Sequence, residues 1–237
     1  MGGFFGATSR RNCILDVFFG TDYHSHLGTR RGGMAAWDKD VGMQREIHNI
    51  QNSPFRTKFE GILDEMTGTA AIGCISDTDP QPILIRSRLG IYAICTIGVI
   101  NNAEALIANH LHTTGGHFDS MTGGRVNSNE LIAAMIDQKK DFAQGIRYAQ
   151  EMIEGTASIL IMKEGGNLIA ARDKMGRLPI VIEKNEDGYA VTFEDYAGEK
   201  LGYEVVRELG PGEIVEISPE GITQLAEPHK EMKVCAF

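Results

Sequence analysis

The last third of the chain leaves its backbone little choice. Residues 157–162, 168–171, 180–182, 189–193 and 214–217 are short apolar runs. Gly165-Gly166, Gly176, Asp187-Gly188 and Pro211-Gly212 fall between them and favour turns. Runs this short have the length of strands rather than helices, and turns this close join antiparallel neighbours. The first two-thirds differs in that helical periodicity alternates with strands. Residues 2–7 and 69–75 read as strands, as do 83–86 and 91–99, the last nearly all apolar as a central strand requires. Ile14, Leu15, Val17, Phe18 and Phe19 suit a helix with one buried face over residues 12–27.

Three further helices are expected. Asn101 or Asn102 caps one that runs to Leu111, and Asn127 or Ser128 caps one carrying Leu131, Ile132, Met135 and Ile136. The third covers residues 142–153. With no repeat, linker or low-complexity stretch, residues 1–237 read as one domain of antiparallel strands with helices inserted between them.

Composition narrows the function classes. A formal net charge of −9 gives no electrostatic reason to approach nucleic acid or an anionic membrane. No apolar run approaches the ~20 residues needed to span a bilayer, and the first residues lack a signal peptide's layout. Cys13, Cys74, Cys95 and Cys235 form no Cys-x-x-Cys pair and read as reduced thiols of a cytoplasmic protein. No metal or cofactor site is expected in this chain, since His24 and His26 have no cysteine near them.

Several stretches share an order with one known family. The chain opens Gly2-Gly3-Phe4-Phe5-Gly6 and continues to Gly28-Thr-Arg-Arg-Gly-Gly-Met-Ala35. Further on come Ala171-Arg172-Asp173 with Gly176 and Pro179, then Gly188-Tyr-Ala-Val-Thr-Phe-Glu194 and Leu209-Gly-Pro-Gly-Glu-Ile-Val215. In order and approximate spacing this resembles the class II glutamine amidotransferase domain, specifically the N-terminal domain of the amidophosphoribosyltransferase family. The resemblance implies the N-terminal-nucleophile hydrolase fold. That is an α+β, αββα sandwich of two antiparallel sheets between helical layers, placed in purine biosynthesis.

Glutamine hydrolysis by this route needs an activated thiolate, a base and donors for the tetrahedral oxyanion. In the family an N-terminal Cys exposed by Met removal supplies the first two. By resemblance, Gly2 stands in its place and has nothing to attack with. Ser76 falls where an Arg would hold the substrate carboxylate, and Ile97-Gly98 where an Asn-Gly pair would serve the oxyanion. An Asp that would bind the substrate amine falls near Ser128, with Asn129 or Glu130 as substitutes if the register slips by one or two, and Arg31-Gly32 opens a segment a few residues shorter than the family's. Arg177-Leu178 also departs from the family's order before Pro179. The vestigial pocket is thus Gly2, Arg31, Gly32, Ser76, Ile97, Gly98 and Ser128, and the expectation is an amidotransferase-like domain without glutaminase activity.

Two rivals stand beside it. Cys13, exposed by processing after Asn12, would be a different nucleophile, or the Gly2 amine could direct a water. Alternatively the old pocket, made less charged by Ile97 and Ser76, would bind a neutral small molecule. Cys74 and Cys95 read as core, His24 and His26 as helix-end packing with no acidic partner at a recognisable spacing, and Gly32-Gly33 and Gly123-Gly124 as turns. The acidic, Gly- and Thr-containing pyrophosphate motif of the family's second domain is absent from these residues. Residues 233–237 resemble the junction before that domain, so the apolar end is expected to meet a downstream phosphoribosyltransferase domain or a second copy of the chain.

Overall fold

The computed structural model describes residues 2–233; the expected docking segment 234–237, with Cys235, lies outside the described residues. The strands are β1 (Gly2–Ser9), β2 (Arg31–Asp38), β3 (Gly42–Asn49), β4 (Ala70–Ser76), β5 (Ile83–Ser87), β6 (Gly90–Ile100), β7 (Met121–Thr122) and β8 (Arg125–Val126). They continue with β9 (Gly155–Lys163), β10 (Leu168–Ala171), β11 (Val181–Lys184), β12 (Gly188–Thr192), β13 (Glu204–Glu208), β14 (Ile214–Ser218) and β15 (Gly221–Ala226). The helices are α1 (Ile14–Tyr23), α2 (Phe55–Phe59), α3 (Ala103–Thr114), α4 (Ser128–Ile136), α5 (Phe142–Met152) and α6 (Asp195–Lys200).

All pairings are antiparallel. A seven-stranded sheet runs β13-β11-β12-β1-β4-β2-β3, and a six-stranded sheet runs β15-β14-β10-β9-β6-β5. Strand alternation sends successive side chains to opposite faces, which assigns the layers. Phe4, Ile72, Cys74, Cys95, Leu160 and Met162 meet between the sheets. Phe5, Ile75, Val17 and Phe55 pack the outer face of the first sheet under α1 and α2. Ile94, Ile159, Ile161, Leu131 and Ile146 do the same for the second sheet under α4 and α5. The result is the expected αββα sandwich.

Close approach of α1 depends on small residues. A Cβ on Gly20 would enter the Phe5 ring, and one on Gly73 would enter the Thr21 side chain. Three local expectations are revised. Gly32 and Gly33 are not turn residues but lie inside β2, where a Cβ would meet Phe55 and the Gln81 carbonyl respectively. Asn102 is the N-cap residue of α3 but makes no side-chain cap bond; its amide instead donates to the Met152 carbonyl and its oxygen accepts from the Glu154 N–H. The β2–β3 hairpin, α2 and α6 are additions to the sequence-based layout.

One buried group works against the fold. The side chain of Glu183 is fully buried on β11, packed under Gly198 of α6, and neither carboxyl oxygen has a hydrogen-bond partner. Burial, with Asp195 nearby adding repulsion, pushes its pKa up to about 8 from 4.5. The folded protein therefore keeps a proton on Glu183 that the unfolded chain releases above about pH 4.5, so stability falls as pH rises from there to about 8. The slope from this group is at most ~1.4 kcal/mol per pH unit. Urea titrations from pH 5 to 8 should show that fall, and Glu183→Gln should flatten it; parallel pH profiles for the two proteins would refute the assignment.

Candidate functional site

A cleft with a cavity volume of about 300 Å³ opens where the ends of β4 and β6 come together. Ser76 and Thr78 line it from the end of β4, and Thr96, Ile97, Gly98 and Val99 from β6. Asn101, Gly155 and Thr156 close one side, and Arg177 and Leu178 reach in from the turn after β10. Three of the residues singled out by sequence, Ser76, Ile97 and Gly98, are thus brought together. Gly98 opposes Ala157 so closely that a Cβ on it would strike the Thr156 carbonyl.

Gly2 begins β1 and is buried beside the same cleft. It opposes Ser76 across β4. A Cβ on Gly2 would run into the Ile75 carbonyl oxygen and lie 3.0 Å from Ile97 Cδ1. Arg31 opposes Ser76 on the other side of β4, is half-buried, and stands outside the cleft wall. Gly32 faces the other way, toward Phe55 and Phe59. Ser128 also stays out of the wall: it begins α4 and its N–H donates to Asp79 Oδ2 at 3.1 Å. Its neighbour Asn127 caps α4, accepting from the Asn129 N–H at 2.9 Å while its own amide donates to the Pro80 carbonyl. Gln81 completes this buried brace, its oxygen accepting from the Thr96 N–H and from Asn129 Nδ2.

The rival nucleophile is sealed away. Cys13 is the N-cap residue of α1, fully buried, with its Sγ facing the Ala7 and Gly68 carbonyls at 3.7 and 3.6 Å. Burial first, then Asp16, pushes its thiol up to about 12, the reverse of an activated cysteine. Cys74 and Cys95 are buried between the sheets, and burial raises the Cys95 thiol, with Cys74 beside it adding to the rise. His24 is buried with Nδ1 donating to the Gly20 carbonyl at 2.7 Å and Nε2 3.2 Å from the Thr192 hydroxyl; burial lowers its pKa. His26 has an acidic partner that no local spacing indicated: Glu194 lies 3.1 Å from its Nε2. Their spacing of 168 residues hid the pair from any local pattern.

The residue that sequence reading noted but left out of the pocket is Arg177. Its backbone is fixed from below. Asp173 accepts from the Met175 and Arg177 N–H groups at 3.0 and 2.8 Å. Buried Arg172 donates to the Gly176 carbonyl at 2.7 Å, to Glu208 at 2.6 Å and to the Leu209 carbonyl. The Arg177 guanidinium itself makes no hydrogen bond or ion pair among the described residues. No other charged side chain lines the cleft, and Cys, His, Asp, Glu and Lys are all absent from its wall among the described residues.

The paired sheets, the four layers and a cleft at the start of β1 define the class II amidotransferase architecture. A family model of the glutamine amidotransferase domain matches residues 57–195, and the chain belongs to that family. It is 28% identical over 226 residues to the amidophosphoribosyltransferase of Methanocaldococcus jannaschii, covering 92% of this chain and 47% of that protein. It is 27% identical over 231 residues to the Bacillus subtilis amidophosphoribosyltransferase, covering 93% and 46%. Among solved structures, it superposes on the B. subtilis glutamine phosphoribosylpyrophosphate amidotransferase complexed with ADP and GMP. That match has a TM-score of 0.81 at 25% identity, covering 94% of this chain and 49% of the other. The chain spans about half the length of the curated relatives it matches.

A thiol probe tests the geometry at Cys13. Iodoacetamide should leave Cys13 unmodified in the folded protein and label it fully in denaturant, read by peptide mass spectrometry. Rapid labelling of native Cys13 would return it to candidacy as a nucleophile.

Proposed function

We propose that this amidotransferase-family domain does not hydrolyse glutamine and acts as a structural or regulatory module of an amidophosphoribosyltransferase-like protein. The observation that carries the reading is the beginning of β1. Where the family chemistry requires a nucleophile, Gly2 has no side chain, and the space a Cβ would take is filled by the Ile75 carbonyl and Ile97. The cleft wall adds hydroxyls at Ser76, Thr78, Thr96 and Thr156 but, among the described residues, no base to take a proton from any of them. Ile97 offers no side-chain donor to an oxyanion. Half-length coverage of the relatives supports a phosphoribosyltransferase domain as the natural partner.

The buried, unactivated thiol of Cys13 argues against the processed-enzyme alternative. The binding-module alternative gains support from the cleft itself, which has the volume of a small-molecule site at the lower end of the usual ~300–1,000 Å³.

The purified chain is expected to release no ammonia from glutamine above buffer background. A turnover above ~1 s⁻¹, the low end for ordinary enzymes, would overturn the reading.

A repair experiment tests the same reading from the other side. Gly2→Cys restores a nucleophile but leaves Ile97, and loss of one oxyanion donor costs ~10²–10³ in rate. The new Cβ must also displace the Ile75 backbone, and forcing atoms into a packed site costs about 1–3 kcal/mol. Gly2→Cys is therefore expected to be less stable than the parent and to stay below about 1% of a competent glutaminase. Comparison with the triple variant Gly2→Cys, Ile97→Asn, Ser76→Arg, after mass analysis of the amino terminus, checks it. Full activity in the single variant would mean that the pocket residues are misassigned.

A further inference from the structure

Among the described residues the cleft wall carries one charge. Ser76 cannot supply the cation that the family resemblance places there, yet Arg177 enters the same space from the turn after β10. Among the described residues its guanidinium has no partner and no carboxylate lines the wall to neutralise it, on a chain whose formal net charge is −9. The turn is braced rather than loose: Asp173 is 1% exposed and Arg172 3%, and their hydrogen bonds fix residues 175–177. Next to the cation lie apolar Ile97, Val99 and Leu178. Among the described residues the wall holds no acidic side chain to receive an ammonium group, and Ser128, near which the resemblance places the family's Asp, is occupied at the Asp79 loop instead.

Building on the reading of this cleft as the domain's ligand site, we infer that it binds a small aliphatic carboxylate lacking a charged amine. Arg177 pairs with the carboxylate, and Ile97, Val99 and Leu178 hold the chain. A guanidinium presents parallel N–H donors that match the two oxygens of a carboxylate. The apolar wall favours an aliphatic body over a hydrated one. An amino acid is disfavoured because its ammonium would lose water without gaining a counter-charge. The expectation of a neutral ligand, drawn from Ser76 and Ile97 alone, is thereby replaced.

Three probes of equal chain length separate the contributions: hexanoate, hexanamide and 2-aminohexanoate, each titrated into the whole chain and followed by NMR. Hexanoate should shift the Ile97, Val99 and Leu178 signals saturably. Hexanamide and 2-aminohexanoate should bind about tenfold or more weakly, since each lacks or offsets the charge-assisted contact. Arg177→Gln should lower hexanoate affinity to the hexanamide level, while Arg86→Gln, a charge control on β5 away from the cleft, should not. Equal binding of hexanamide, unchanged affinity in Arg177→Gln, or no saturable shift at the cleft residues would each overturn the inference. Glutamine hydrolysis by the parent chain would sink the non-catalytic reading alone, leaving these affinities to decide the ligand class.

Discussion

Strand β1 has no face turned to water, and that constraint governs both the core and the cleft. Each of its residues is buried, with β4 flanking Gly2–Thr8 and β12 flanking Phe5–Ser9, under α1 on one side and over the second sheet on the other. Phe4 goes inward and Phe5 outward, and each fully buried aromatic of this kind contributes about 1.5–3 kcal/mol. The space around them is set by glycine. Gly6 leaves room for Leu160, and Gly20 lets α1 settle on the Phe5 ring. Gly2 belongs to the same series. Its missing side chain is built into the packing, because Ile97 and the Ile75 carbonyl occupy what a larger residue would need. On the proposed reading, loss of a nucleophile and repacking of the strand end are, at this position, one and the same change.

The second organising element is the turn after β10. Arg172 is a buried cation, which is costly unless paired and hydrogen-bonded. Glu208 and the Gly176 and Leu209 carbonyls meet that need, although Nε remains without a partner. Asp173 meanwhile satisfies the N–H groups of the turn. These bonds tie β10, β13 and the turn into one unit. That unit sets the backbone of Arg177 at the mouth of the cleft.

Much of this was legible in sequence where periodicity was local. The strand runs in the last third, α4 with its Asn127 cap, and α5 all follow from apolar spacing and turn chemistry. Gly32-Gly33 misled because glycine pairs usually mark turns; their reason for being glycine is contact with Phe55 and Gln81, which sequence does not reveal. The edge strand β3 alternates weakly and has no fully buried residue, so it carries little apolar signal. In the site, Ser76, Ile97 and Gly98 were found through family order. Arg177 was noticed only as an exchange with Leu178, since its role depends on contact with strands some eighty residues earlier in the chain. Glu183 had no sequence signature, because an acidic residue in a strand ordinarily faces water.

The way the fold is built accounts for how such a site can change while the domain persists. All three apolar cores lie in the body of the layers, and of the cleft-lining residues Ile97 is a core member and Leu178 packs against that core. Ser76, Thr78, Asn101 and Arg177 contribute little to burial of apolar area, so their identities are free to vary without removing the terms that hold the sandwich together. Ile97 is the exception, and its direction of change is informative. An apolar side chain there adds to the inter-sheet core while withdrawing a polar group from the cleft. On the proposed reading, stability and lost chemistry then move together, because the position that once had to stay polar for catalysis gains packing energy once that demand is gone.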